Sequence, residues 1–422
     1  MLERYVKAVA LPMALLAVVP SVPAQDSVLT SLLVANRHPV GVVGGKLAGA
    51  GGRLLVERGK ESRFYLVGEE HGVGEMPGLV QALLADLQPA GYNTFAIEVS
   101  PLQGERLDSL RAPGGKRGAL DSLLGNWLTA VPFYTLAPER ELLWSALAGL
   151  DQLPPLRIWG LDYDVSGDRL FLRELERLAP VEGRAAVRRA RELADSGFAT
   201  VRAQGNPSRL FAWSAPDSIF EALREAFGSN PAPRARAIID VFERTARINR
   251  HFLSGRIYES NLERSRYLRQ NFAEALAVAE ARGERPRVLF KFGGSHMMRG
   301  WNYTHTLDIG TAAAIVAESR GERSYHILVL GGPGSRTARM NILKLQYEPT
   351  GTAAVESGDY AWLRAALPDT GWAVFDLQPV RSAYLQRRAI PLTPIQDRML
   401  QAYDAVVVLT GSSPAGIIRI EP

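Results

Sequence analysis

Hydrophobic positions along the chain follow two rhythms. Short runs that are apolar at nearly every position, and rich in β-branched and aromatic residues, occupy 64–67, 94–97, 157–159, 288–292, 325–330, 372–375 and 405–409. Runs of that length predict strands, and their lack of alternation predicts a sheet covered on both faces. Between the first two, residues 76–87 place Leu79, Val80, Leu83, Leu84 and Leu87 on one helical face, with Pro89 and Gly91 closing the segment. Strand, helix, strand in that order predicts a parallel, right-handed crossover.

From residue 163 to 286 the strand rhythm disappears. Amphipathic stretches at 170–178, 182–193, 219–227, 235–251 and 259–281 predict a helical insertion of more than 100 residues. The expected fold is therefore α/β: a largely parallel central sheet flanked by helices, with the insertion as a cap over the carboxyl ends of the strands. Residues 25–162, including helices within 105–150 that border the same end of the sheet, form the first part of the core. Residues 287–422 form the second part. The glycine-rich stretch 41–52 is expected to be a flexible turn.

The first 24 residues break the pattern. Arg4 and Lys7 precede an apolar stretch over 8–19, and Pro20, Ser21, Val22, Pro23 and Ala24 follow. This is the order of a signal peptide cleaved after Ala24, and the apolar stretch is shorter than the roughly 20 residues a spanning helix needs. The expectation is an exported protein, periplasmic or secreted, without stable membrane insertion once the leader is removed.

Composition narrows the chemistry. The chain has 422 residues, 46% hydrophobic and 22% charged, the balance of a globular protein with a sizeable core. It has no cysteine, which excludes thiolate catalysis, cysteine-ligated zinc and iron–sulfur clusters. A net charge of +5 is too small to argue for nucleic acid, and the densest basic stretch, Arg184, Arg188, Arg189 and Arg191, has the spacing of a solvated helix face.

Charged residues just past strand ends are the ones to examine, because open α/β sheets bind ligands in the crevice beyond those ends. Residues 64–67 lead into Gly68-Glu69-Glu70-His71-Gly72, and residues 94–97 end on Glu98. Residues 157–160 run into Asp162 and Asp164, and residues 288–292 lead into Gly293-Gly294-Ser295-His296. Parallel strands would bring all four ends to one edge. Two histidines and two glutamates there suit water activation: an imidazole accepts a proton, a carboxylate fixes its tautomer, and a second imidazole protonates the leaving group. The same four residues, His71, Glu69, Glu98 and His296, could alternatively ligate a divalent metal. His305 is expected to line the same mouth, whereas His38, His251 and His326 are expected to be structural. Gly41 to Lys46 has the wrong spacing for a phosphate loop, Gly331 to Gly334 reads as a turn, and no Gly-x-Ser-x-Gly elbow occurs.

The segment from Phe64 through Gly72, with Glu75 opening the next helix, followed by Phe95-Ala96-Ile97-Glu98, resembles the erythromycin esterase-like family and the wider superfamily of ChaN-like haem-binding and TraB/Tiki proteins. Arg256-Ile257-Tyr258-Glu259-Ser260-Asn261, Phe292 through His296, and Tyr403 through Val408 resemble later motifs of that family in the same order. Two departures stand out. Only Glu70 separates Glu69 from His71, as in the TraB/Tiki and ChaN branches, and Gly293 stands where the esterases commonly carry another histidine. The resemblance implies a capped α/β fold and, for the esterase branch, hydrolysis of an ester or related bond in a small molecule by activated water. His71 would be the base, Glu69 and Glu98 would orient it or the water, His296 would contact the reacting oxygen, and Arg256 would stabilise negative charge. Glu75, Asp162, Asn261 and His305 would contact substrate. The other branches imply haem or metal binding, or a metal-dependent peptidase.

Overall fold

The computed structural model describes residues 23–127, 130–149, 153–341, 346–356, 358–387 and 392–418. The expected leader lies outside the described residues apart from its last two positions, where the Pro23–Ala35 helix begins.

Eleven strands are present among the described residues. They are β1 (Arg37–Val43), β2 (Lys46–Ala48), β3 (Phe64–Glu69), β4 (Tyr92–Ile97), β5 (Arg157–Gly160), β6 (Arg287–Gly293), β7 (Ser324–Gly331), β8 (Arg336–Asn341), β9 (Gln346–Thr352), β10 (Trp372–Asp376) and β11 (Ala405–Leu409). Nine make one sheet in the order β2-β1-β10-β11-β7-β3-β6-β4-β5, and β8 and β9 form a separate hairpin. The six strands from β11 to β5 are mutually parallel, while β10, β1 and β2 extend the edge in antiparallel fashion. The expected α/β fold is therefore present, and all seven expected strands belong to the large sheet.

Alternation along these strands fills two cores. Phe64 and Leu66 of β3, Phe290 and Phe292 of β6 and Leu328 of β7 face Leu268, Phe272 and Leu276 of the Ile257–Ala281 helix. Tyr65, Val67, Phe95, Leu289 and Ile327 face the opposite way, against Leu79, Val80 and Leu83 of the Met76–Leu87 helix and Leu142 and Leu143 of the Ala137–Ala148 helix. Continuous apolar sequence was the correct sign of a sheet buried on both sides.

Residues 41–52 are not a flexible turn. Val43 pairs with Lys46 across Gly44 and Gly45, whose φ values of 57° and 75° are those of the tight hairpin turn that matches strand twist. Gly51 and Gly52 then lie buried in the Gly49–Lys60 helix, and a Cβ on Gly51 would meet Val374 Cγ2 at 2.8 Å. The glycines serve close packing, which composition alone does not distinguish from flexibility.

The segment 163–286 is helical throughout its regular elements and has its own core, built on Phe171, Leu175, Val187, Phe211, Phe220, Ile238 and Phe242. Its last helix, Ile257–Ala281, belongs to both bodies, because Leu268, Phe272, Leu276 and Ala279 pack on the sheet. Buried hydrogen bonds tie the insertion down. Asn271 Nδ2 donates to Leu161 O at 2.9 Å, the Asp164 amide to Thr245 Oγ1 at 3.1 Å, and Ser100 Oγ to Asp164 Oδ2 at 2.8 Å. Arg184, Arg188 and Arg189 are exposed on the Arg184–Gln204 helix, as a solvated face requires, whereas Arg191 is half-buried and pairs with Glu176 and Asp195 at 2.8 and 3.1 Å. No helix among the described residues is long and apolar enough to cross a membrane.

Phe290 sits edge-on between Phe64 and Phe272, with ring centroids 6.0 and 5.5 Å away. Phe290→Ala should cost about 3–5 kcal/mol, read from the shift of the urea midpoint followed by circular dichroism. A loss below about 1 kcal/mol would mean that the ring cluster is not close-packed.

Candidate active site

Strand alternation decides which polar groups meet. Glu69 continues the side of β3 occupied by Tyr65 and Val67, and Lys291 continues the side of β6 occupied by Leu289, so both point toward the Ala137–Ala148 helix. Lys291 Nζ lies 2.8 Å from Glu69 Oε2 and 2.9 Å from Glu139, which sits in the first turn of that helix. All three residues are buried. Burial opposes charge on Glu69, but Lys291 and the His71 hydrogen bond outweigh it and lower its pKa. Glu139 is left the less compensated of the two, and burial raises it to about 7. Lys291 is held protonated against burial by the two carboxylates.

His71 follows in the turn after β3. Its Nδ1 lies 2.8 Å from Glu69 Oε1, and its ring stacks on Phe133 at 4.3 Å with 17° between the planes. Gly72 makes the turn possible. Its φ is +84°, its carbonyl accepts from the amides of Ala338 and Ala415 at 2.9 Å, and a Cβ there would lie 2.0 Å from Ala338 O. Burial lowers the His71 pKa, yet Glu69 and Glu98 together raise it above its ordinary 6.5.

His296 lies in the short 3₁₀ turn after β6 and repeats the arrangement. Its Nδ1 is 2.9 Å from Asp308 Oδ2, a buried carboxylate that caps the Ile309–Glu318 helix and also accepts from Ser265 Oγ at 2.9 Å. Burial opposes the charged imidazole, but Asp308 and Glu98 raise its pKa too, against Arg264.

Glu98 joins the two halves. His71 Nε2 is 3.7 Å from its Oε2, and His296 Nε2 is 3.6 Å from its Oε1. The Gly293 amide donates to Oε2 at 2.6 Å, and Arg264 Nη2 donates to Oε1 at 3.0 Å. Burial works against ionisation of Glu98, but both imidazoles, Arg264 and the amide bring its pKa down to about 2. The folded pKa is below the unfolded one, so this ionisation stabilises the fold above about pH 4.5 and the contribution is lost as the pH falls toward 2. Gly293 has no room for a side chain: a Cβ would stand 2.9 Å from His71 Nε2.

Glu69, His71, Glu98 and His296 are thus brought together, and Asp162 joins them indirectly. Buried Asp162 accepts from Arg264 Nε at 3.0 Å and pairs with Arg264 Nη2, fixing the guanidinium that holds Glu98. The other expected residues lie apart. Arg256 is exposed before the Ile257–Ala281 helix and donates to Ser254 Oγ at 3.2 Å; Arg264, two turns further on, is the arginine on Glu98. Asn261 is half-buried on the Arg264 side of that helix. Glu75 accepts from the Ser413 amide and hydroxyl, a clamp on the C-terminal segment. His305 is exposed in a loop at φ 57°. Glu70 turns away to accept from the Gly331 and Ala354 amides. His326 is structural: buried between Met297 O and Ser324 Oγ, it has its pKa pushed down to about 3 by burial.

The four residues do not fit a metal site. Among the described residues no group of three or more His, Asp or Glu side chains is disposed to hold an ion. Glu69 is taken up by Lys291 and His71, and both Glu98 oxygens already accept from N–H donors.

No protein-family model and no curated protein matches the chain. Solved structures do. A Bacillus cereus protein superposes with a TM-score of 0.56 at 14% identity, over 93% of this chain and 99% of that one. A histidine-to-asparagine variant of the erythromycin esterase EreC, in its open conformation, gives 0.54 at 14% identity over 88% and 95%. A succinoglycan biosynthesis protein gives 0.54 at 13% identity over 94% and 99%. This chain has the erythromycin esterase-like fold. The resemblance read from the sequence motifs therefore holds at the level of the fold.

Within that fold, sequence reasoning passed over Lys291, Glu139, Arg264, Asp308 and Phe133. Lys291 had a visible signal, a cation inside an otherwise apolar strand, where it must be paired. Arg264 had none, being one of several arginines on an amphipathic helix. Lys291→Met strands two buried carboxylates and should cost about 3–5 kcal/mol in chemical denaturation, with part recovered in Lys291→Met/Glu139→Leu. Equal stability of wild type and Lys291→Met would show that the three charges are not coupled.

Proposed function

We propose that the protein is a hydrolase that activates water at His71 to cleave an ester or related bond in a small molecule, with no metal in the reaction. One observation carries this reading: each imidazole has its Nδ1 on a buried carboxylate, and both Nε2 atoms converge on ionised Glu98. A carboxylate at Nδ1 holds the proton there and leaves the Nε2 lone pair to accept one. The gap of 3.7 Å between His71 Nε2 and Glu98 exceeds a direct hydrogen bond, and a water donating to both would be oriented for attack.

In this mechanism the water oxygen bonds to the carbonyl carbon as its proton passes to His71 Nε2. Charged His296, stabilised by Asp308, donates to the oxyanion. The carbon–oxygen bond to the leaving group then breaks, and His71 returns its proton to the departing alkoxide. Glu98 keeps both imidazoles basic enough for these roles. Similarity of fold to an erythromycin esterase supports the reaction class and a small-molecule substrate, without fixing which one. Export through the leader at residues 1–24 is part of the proposal.

A panel of esters and lactones with and without chelator tests the reading. Activity should survive chelation and fall by about 10²–10⁴-fold in His71→Asn. Because the base must be neutral and its pKa is raised, kcat/KM should climb with pH to a midpoint above 6.5, and it should fall again at higher pH as His296, whose pKa is also raised, loses its charge. Activity that needs added metal, or that His71→Asn leaves intact, would overturn the mechanism.

A further inference from the structure

Phe133 holds a backbone conformation that its side chain disfavours. Its φ is 68°, and among the described non-glycine residues only Phe133 and His305 lie in the left-handed region. His305 is an exposed loop residue with a polar ring, whereas Phe133 offers no polar side chain to compensate. Such strain persists only where surrounding structure enforces it, and an observed outlier invites a functional explanation.

The enforcing contacts come from three separated parts of the chain. The Phe133 amide donates to Tyr347 Oη of β9 at 3.0 Å, and its carbonyl accepts from the Leu136 amide at 2.9 Å. Leu136 bridges to Ile417, the Ala137 amide donates to Gly416 O at 2.6 Å, and the Ile418 amide donates to Thr135 O at 2.9 Å. Leu136, Ala338, Tyr347 and Ala415 form a small separate core beneath the ring. The hairpin and the C-terminal segment also bind Gly72 O, so they clamp both the Phe133 loop and the His71 turn.

We propose that Phe133 is the positioning residue of His71: its ring, forced into place by the Tyr347 clamp, fixes the imidazole plane so that Nδ1 stays on Glu69 and Nε2 on Glu98. The proposal rests on the reading of His71 as the base. A side chain about one third exposed and tethered at Nδ1 to Glu69 alone would otherwise keep the option of turning about its outer torsion to hydrogen-bond to water. The face-on ring removes that freedom and covers one side of the imidazole. The ionisable groups around His71 are Glu69 and Glu70 at the end of β3, Glu98 after β4, Lys291 on β6 and Glu139 on the Ala137–Ala148 helix.

Phe133→Gly separates strain from stacking, because glycine adopts φ 68° without penalty while losing the ring. The melting temperature should stay level or rise, kcat should fall about tenfold or more with KM little changed, and long-range ¹H–¹⁵N NMR should show the neutral His71 ring as a mixture of Nδ1- and Nε2-protonated forms instead of one tautomer. Phe133→Tyr should keep wild-type values, and Tyr347→Phe should give a weaker loss in the same direction. Wild-type kcat and a single Nδ1-protonated His71 tautomer in Phe133→Gly would overturn the proposal. If wild type hydrolyses none of the panel, the hydrolase reading fails, and the His71 tautomer pattern still decides whether the ring positions His71.

Discussion

The site depends on one ionised carboxylate held where water is scarce. Glu98 stands at the end of β4 with an arginine and a backbone amide on its oxygens and an imidazole approaching from either side. Leaving a carboxylate charged there is costly unless its partners are fixed, and each partner is fixed from behind. Asp162 holds Arg264, Glu69 holds His71, Asp308 holds His296, and β6 holds Gly293. The charge that organises the site is thus paired through several elements at once, and removing one partner would be felt by the others.

The parallel sheet makes that convergence possible. Alternation sends Glu69 and Lys291 to one face and leaves Glu98 in phase with the other, where the Ile257–Ala281 helix delivers Arg264. The strand ends are the place where groups from both faces can meet. Gly293 and Gly72 are what permit it, since a Cβ at either would collide with His71 Nε2 or with the β8 backbone. The space beside Gly293 belongs to His71.

Most of the sheet was legible in the sequence because a strand buried on both sides leaves an unbroken apolar run. The gathering of Glu69, His71, Glu98 and His296 was legible because strand-end placement follows from that reading. Other features were not. The β8–β9 hairpin carries Arg, Asn, Gln and Glu among few apolar positions and lacks the run that marks a buried strand. Arg264 and Arg256 are two helical turns apart, and only the docking of the helix on Leu268 and Phe272 decides which one reaches Glu98. Phe133 owes its position to contacts from residues over 200 places away, which no local pattern encodes.

The tautomers of the two imidazoles test the central claim most directly. Long-range ¹H–¹⁵N NMR of His71 and His296 across a pH titration, in wild type and Glu98→Gln, reads both the protonated nitrogen and the midpoint. The account predicts neutral rings protonated at Nδ1, with both midpoints above 6.5 in wild type and both falling together when Glu98 loses its charge. Neutral rings protonated at Nε2, or midpoints that Glu98→Gln leaves in place, would contradict it.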